Sequence, residues 1–197
     1  VYAEQAMTHL QGDIWTGEGE MRVGSAHIEP AGQPAVTLQG FSVRGASEAT
    51  PNGERVSSTG TFRLDKVSLQ GESYGPHQMQ LSLDNLDVDS WSRLSESLSE
   101  LQLLAAQQKA DGKNRFDQQM AAMTSMNTAL RDLAAAGFSA GIPTLSLATP
   151  EGEVSGSVVI SPPELTADQR SDMLLIMPRL TGKLSLKLPA ALAENHP

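Results

Sequence analysis

Apolar and polar positions in the first ninety residues follow one spacing that recurs four times: apolar-x-apolar-x-x-apolar-x-apolar. Met21, Val23, Ala26 and Ile28 fit it, as do Val36, Leu38, Phe41 and Val43. Phe62, Leu64, Val67 and Leu69 form the third copy, and Leu81, Leu83, Leu86 and Val88 the fourth. Alternation with period two marks a strand with one buried face, and the extra residue in the middle predicts a bulge that restores that face. Turn signals separate the copies: Glu29-Pro30-Ala31-Gly32, Thr50-Pro51-Asn52-Gly53, Gln70-Gly71 and Tyr74-Gly75-Pro76. Thr61, Arg63, Asp65, Gln80, Ser82 and Asp84 occupy alternate positions, so one sheet face is wet. Gly17, Gly19, Gly40, Gly45 and Gly60 fall in or beside strands and predict bends in a curved sheet. Residues 1–88 therefore read as an antiparallel meander.

The period then changes. Asp89 is placed to cap a helix carrying Trp91, Leu94, Leu98, Leu101 and Ala105, in steps of three and four. Asp111-Gly112 interrupts it. A second helix carries Phe116, Met120, Met123, Asn127, Leu130 and Ala134, with Gly137 as its C-terminal cap. The short break predicts an antiparallel helical hairpin over 89–137. Strands return in 138–197: Leu145 and Leu147, a turn at Thr149-Pro150-Glu151-Gly152, then Val154, Gly156, Val158 and Ile160. A short helix capped by Thr166 and ended by Pro178 precedes a last strand with Leu184, Leu186 and Leu188. Ala190 to Pro197 is expected to fray. The fold class is α+β: a curved antiparallel meander of bulged strands covered by a helical hairpin, followed by further antiparallel strands. Trp91, Leu94, Leu98, Leu101, Phe116, Met120, Met123 and Leu130 are the expected lining of its core or of an apolar groove.

Composition narrows the chemistry. With 14 Lys and Arg against 23 Asp and Glu, the 197-residue chain carries a net charge of −9. That argues against nucleic acid and against anionic lipid surfaces, both of which need a basic face. There is no cysteine, so disulfides, thiolate metal sites and a cysteine nucleophile are excluded. Aromatics make up only 4%, which leaves the core to Leu, Val, Met and Ala. No apolar run approaches the roughly 20 residues that span a bilayer. The chain begins at Val1, without an initiator Met, as a piece of a longer protein would.

Candidate sites are few. Gly137-Phe138-Ser139-Ala140-Gly141 matches the G-x-S-x-G pattern of serine hydrolases, but that elbow needs a strand before the serine and a helix after it, and the order here is reversed. Asp84, Asp87 and Asp89 have oxygen-ligand spacing, yet they lack the Gly and bidentate Glu of a calcium loop. His9, His27, His77 and His196 form no metal-binding pair. The Met120, Met123 and Met126 group suits either core packing or an adaptable apolar surface. Neither a phosphate loop nor a dinucleotide fingerprint occurs, so no catalytic residue, metal or cofactor is assigned.

Three segments carry a family resemblance: Met79-Gln80-Leu81-Ser82-Leu83-Asp84-Asn85-Leu86-Asp87 with the helix of Leu94 and Leu98; Pro143 to Gly152 with Val154-Ser155-Gly156; and Leu184-Ser185-Leu186-Lys187-Leu188-Pro189. The layout resembles the YdgA-like family, bacterial proteins of unknown function. The resemblance implies a larger periplasmic parent held in the inner membrane by an N-terminal helix that this stretch lacks. It transfers no catalytic residues. The expected function is that of a non-enzymatic envelope scaffold or binding module whose partner is an envelope protein. The alternative is a carrier for an apolar ligand such as lipid, with a Ser139 hydrolase ranked last.

Overall fold

Alternating segments bounded by turn residues become strands, and a computed structural model shows how they join. It describes residues 1–29, 32, 34–106, 112–162 and 181–191. The elements are β1 (Tyr2–Gln11), β2 (Ile14–Ile28), β3 (Val36–Ala49), β4 (Arg55–Leu64), β5 (Lys66–Leu69), β6 (Glu72–Tyr74) and β7 (His77–Asp87). Then come α1 (Val88–Ala106), α2 (Gly112–Ala136), β8 (Ser139–Thr149), β9 (Gly152–Ser161) and β10 (Thr181–Lys187). All strands belong to one open antiparallel sheet in the order β1-β2-β3-β4-β7-β8-β9-β10, with β5 and β6 continuing beside β3. The class is α+β, as the pattern predicts. The short helix expected between Thr166 and Pro178 lies outside the described residues, as do His196 and most of the expected frayed end.

The repeated extra residue is handled in two ways. In the fourth copy it is a bulge: Val56 pairs with Leu86 and Ser58 with Leu83, so Asp84 and Asn85 together oppose Ser57. Asn85 takes a left-handed backbone there, with φ 60°. In the other three copies the expected bulge is replaced by a break shared between neighbours. Val23 pairs with Phe41 and Ser25 with Gln39, so Gly24 faces Gly40 and the register is unshifted. On the other side of β3, Ser42 pairs with Arg63 and Gln39 with Lys66, which sets Gly40 opposite Asp65, between β4 and β5. When adjacent strands skip at the same level, no residue is left over and the ladder keeps its count. Gly40 is required at this point. Its φ is +66°, and an added Cβ would sit 2.0 Å from the Asp65 carboxylate. A second bulge surrounds Pro143, because β8 shifts register against both β7 and β9 there. A proline inside a central strand is tolerated at such a point, where the ladder is already interrupted.

The helical hairpin sits over one end of the sheet. Leu86, Leu94, Ala129 and Leu133 form one buried cluster, flanked by Leu83, Met126 and Phe138. Ile14, Val56 and Val88 form another, flanked by Leu10 and Ala49, and Trp91 packs against both. The cap of α1 is Asp87, not Asp89: its Oδ1 accepts the Ser90 backbone N–H at 2.9 Å, because the helix starts directly after β7. Gly137 ends α2 with φ 75°, its N–H reaching the Ala134 carbonyl at 3.3 Å.

The buried stripe of α2 also differs from expectation. Ala122, Ala129, Leu133 and Ala136 are buried, whereas Phe116, Met120, Met123 and Leu130 are exposed. Small side chains let α1 and α2 approach closely, with Ser97 and Ser125 hydroxyls 3.0 Å apart between them, so the bulky residues are turned outward. On α1, Leu94 is buried, Trp91 and Leu101 are half-buried and Leu98 is exposed.

Candidate functional site: an open apolar sheet face

Directly paired residues of an antiparallel sheet share a face. Register therefore assembles rows that sequence order hides. Met21 pairs with Val43, Val43 with Phe62, Phe62 with Met79 and Met79 with Leu145. Leu145 then pairs with Gly156, and Gly156 with Leu186. A second row runs Gln5, Gly19, Gly45, Gly60 and Leu81. A third runs Met7, Gly17, Ser47, Ser58, Leu83 and Ala140. Leu83 packs against the helical cluster, so these rows lie on the helix-bearing face. Away from the helices that face is open: Met21, Leu81 and Ile160 are exposed, and Leu186 is 59% accessible.

Where the open face meets α1 there is a cavity of ≈ 440 Å³. Ile14, Val56, Leu83, Leu86 and Trp91 supply its apolar wall, with Met7 and Trp15 also lining it. Gly17, Gly19, Gly45 and Ser47 also line it. Both tryptophans of the chain therefore line one cavity. Trp15 is 52% exposed and is held by an edge-to-face contact with His9, ring centroids 5.0 Å apart. His9 is fixed in turn by a 2.9 Å hydrogen bond between its Nε2 and the Gly12 carbonyl. A larger hollow of ≈ 600 Å³ lies beside Glu18, Glu48, Asp84, Ser57 and Thr59. It is acid-lined, and among the described residues no group of three or more His, Cys, Asp or Glu is arranged to hold a metal ion.

The hairpin is fixed to the bulge by a polar clamp. Arg55 donates from Nη1 to the carbonyls of Asn85 (3.3 Å) and Ala136 (3.2 Å), and its Nε lies 3.8 Å from Asp87. Asn85 donates from Nδ2 to the Gly137 carbonyl at 3.1 Å and from its backbone N–H to Ser57 Oγ at 3.1 Å. Partial burial pushes the Asp87 carboxyl upward. The Ser90 hydroxyl and N–H, with the charges of Arg55 and Arg93, outweigh that and hold it below the ordinary aspartate value.

The expected chemical motifs are dispersed. Ser139 opens β8 directly after a helix, and its hydroxyl accepts a 3.1 Å hydrogen bond from Ser161. Asp87 serves the helix cap, Asp89 accepts from Gln11 at 2.9 Å, and Asp84 faces the acid-lined hollow. Of the expected lining residues, Trp91 borders the cavity, Leu94 lies in the core behind it, and Phe116, Met120, Met123 and Leu130 face away. Sequence reasoning did not single out Met7, Ile14 or Trp15. Tryptophan rarity was the available signal.

Fold and site together define an open antiparallel sheet with a helical cover and an apolar face. A family model described as "Bacterial protein of unknown function (DUF945)" matches residues 4–196. The chain belongs to this bacterial family of unknown function. No curated protein and no solved structure matches it. No helix among the described residues is long and apolar enough to cross a membrane.

Proposed function

We propose that the protein is a non-enzymatic component of the bacterial envelope that binds an apolar ligand of lipid type on the open face of its sheet. The observation that carries this reading is the incomplete cover. One apolar row, from Met21 through Val43, Phe62, Met79 and Leu145 to Leu186, spans the sheet, but the helices bury only the end at Val56, Leu86 and Leu94. In this reading the exposed apolar residues of that face, among them Met21, Leu81 and Leu186, mark the binding surface. The adjoining cavity exceeds the roughly 300 Å³ at which ligand pockets begin. In this reading the parent chain is periplasmic and anchored in the inner membrane, which places the face near lipid. A second reading, a docking scaffold for another envelope protein, is favoured by the sheet edges β1 and β10, each paired on one side only among the described residues.

Native mass spectrometry of protein purified without detergent tests the proposal. Retained fatty acid or phospholipid, and uptake of added fatty acid after delipidation, are expected. Absence of both overturns the lipid reading. Ester hydrolysis abolished by Ser139→Ala would overturn the non-enzymatic one.

A further inference from the structure

We infer that the outward stripe of α2 is a contact between two copies of the chain, which pair as a short antiparallel coiled coil through Phe116, Met120, Met123, Asn127, Leu130 and Ala134. This is independent of the lipid-binding reading above. The six positions advance in steps of four and three, the seven-residue repeat of a coiled-coil seam. A helix that used them against its own hairpin would bury them. Instead Phe116, Met120, Met123 and Leu130 are 42–63% exposed. Towards its own chain α2 presents other residues, Ser125, Met126, Ala129 and Leu133. That packed face lies roughly 120° around the helix from the stripe, at 3.6 residues per turn. Among the described residues the repeat therefore has no partner, and the partner that a seam of this period fits is another helix.

A second copy is singled out because the stripe matches itself. Set antiparallel about a two-fold axis level with Ser125, all six positions are paired, each contact occurring twice. Phe116 meets the partner's Ala134, Met120 meets the partner's Leu130, and Met123 meets the partner's Asn127. The largest side chain of the stripe thus faces the smallest. A slip of one heptad in either direction pairs only four of the six positions. Charge agrees with the same register, since it brings Asp117 beside the partner's Arg131 on the flank of the seam, again twice. Both groups have capacity for this. Asp117 is exposed and in no ion pair among the described residues. Arg131 makes no hydrogen bond among them, and the Asp132 carboxylate 4.0 Å away is shared with Arg93 at 3.5 Å. A parallel pair would stack Phe116 on the partner's Phe116 and hold Asp117 about 21 Å along the axis from the partner's Arg131. Asn127 is the one polar seam position, and such a residue fixes register at a cost in affinity. The seam runs for less than three heptads, so the dimer is weak and dissociates on dilution.

Light scattering across a dilution series tests the contact. The wild type is expected to pass from dimer to monomer, and Met120→Glu and Met123→Glu to remain monomeric where the wild type is dimeric. Both sites are exposed, so the folded chain tolerates the change. Asp117→Arg should raise the dimer Kd about tenfold, and adding Arg131→Asp should restore it. The chain has no cysteine, so single cysteines report the register cleanly. Met120→Cys mixed with Leu130→Cys should be joined by a short bismaleimide, whereas Met120→Cys alone should not. A wild type that is monomeric at every concentration overturns the inference, as does a dimer that survives Met120→Glu. Efficient joining of Met120→Cys to itself makes the seam parallel and overturns the register, even where the charge-swapped variant does not fold. Joining of Met120→Cys to Leu130→Cys that is lost in Met123→Glu versions of both supports it.

Discussion

The two ends of this sheet are built from the same spacing and have opposite fates. At one end, Val56 and Leu86 are each 4% exposed beneath α1 and α2. At the other, Met21 and Ile28 keep the same alternation and remain exposed. Strand pattern therefore states which face is apolar, but not what covers it. Burial in the first region comes from a hairpin that arrives later in the chain and is clamped by Arg55, Asn85 and Gly137. In the proposed function the uncovered region is the part that takes a ligand.

The sharpest way to break that contrast is a matched pair of truncations. Leu86→Ala should lose about 2–5 kcal/mol in urea unfolding, the range for a buried leucine. Met21→Ala should stay within about 0.5 kcal/mol, as at a surface site. Equal losses would mean that the open face is packed.

Next in size is the clamp. Arg55→Met keeps the stem but removes charged hydrogen bonds to two carbonyls, and about 1.5–3 kcal/mol should go. Recovery by Arg55→Lys to the wild-type midpoint would show that charge alone, not the forked geometry, holds the hairpin.

A smaller effect belongs to the cap. Asp87→Ala should cost about 0.5–2 kcal/mol. Because the folded carboxyl lies below its unfolded value near 3.9, its contribution is full above that pH and fades as pH falls through the folded value. Denaturation midpoints followed from pH 6 to pH 2 should therefore fall less steeply for Asp87→Asn than for the wild type. Parallel curves would remove the cap from the acid response.

The smallest stability change is expected at the open end. Leu184→Ser and Leu186→Ser should each stay within about 0.5 kcal/mol by urea titration, since Leu184 is 80% exposed. Fluorescence of an apolar surface dye should nevertheless drop. An unchanged dye signal would place the binding surface away from β10.

Much of the fold was legible because period and punctuation are local. Alternation located β2, β3, β7, β8, β9 and β10 and ran β4 and β5 together as one copy, but it did not mark β1 or β6; the change to steps of three and four located α1 and α2, and Gly137 marked the end of the hairpin. The outward stripe of α2 was not legible. Its apolar spacing was regular, and the choice of the Ala122–Ala129–Leu133 side depends on how closely α1 approaches. The cap moved from Asp89 to Asp87 because both acids suit the role, and the end of β7 decides between them. The cavity was hidden for a related reason. Gly19, Gly45 and Gly60 stand apart in the chain, and only pairing register sets them side by side.

Sequence alone determined the antiparallel strands, the helical hairpin and the apolar face, since these follow from side-chain period and turn chemistry within a few residues. Tertiary structure alone decided which part of that face is covered, which side of α2 is buried, and that Trp15 and Trp91 share one cavity. Those outcomes depend on register and on the packing of distant elements, where single-residue shifts in alignment change every neighbour.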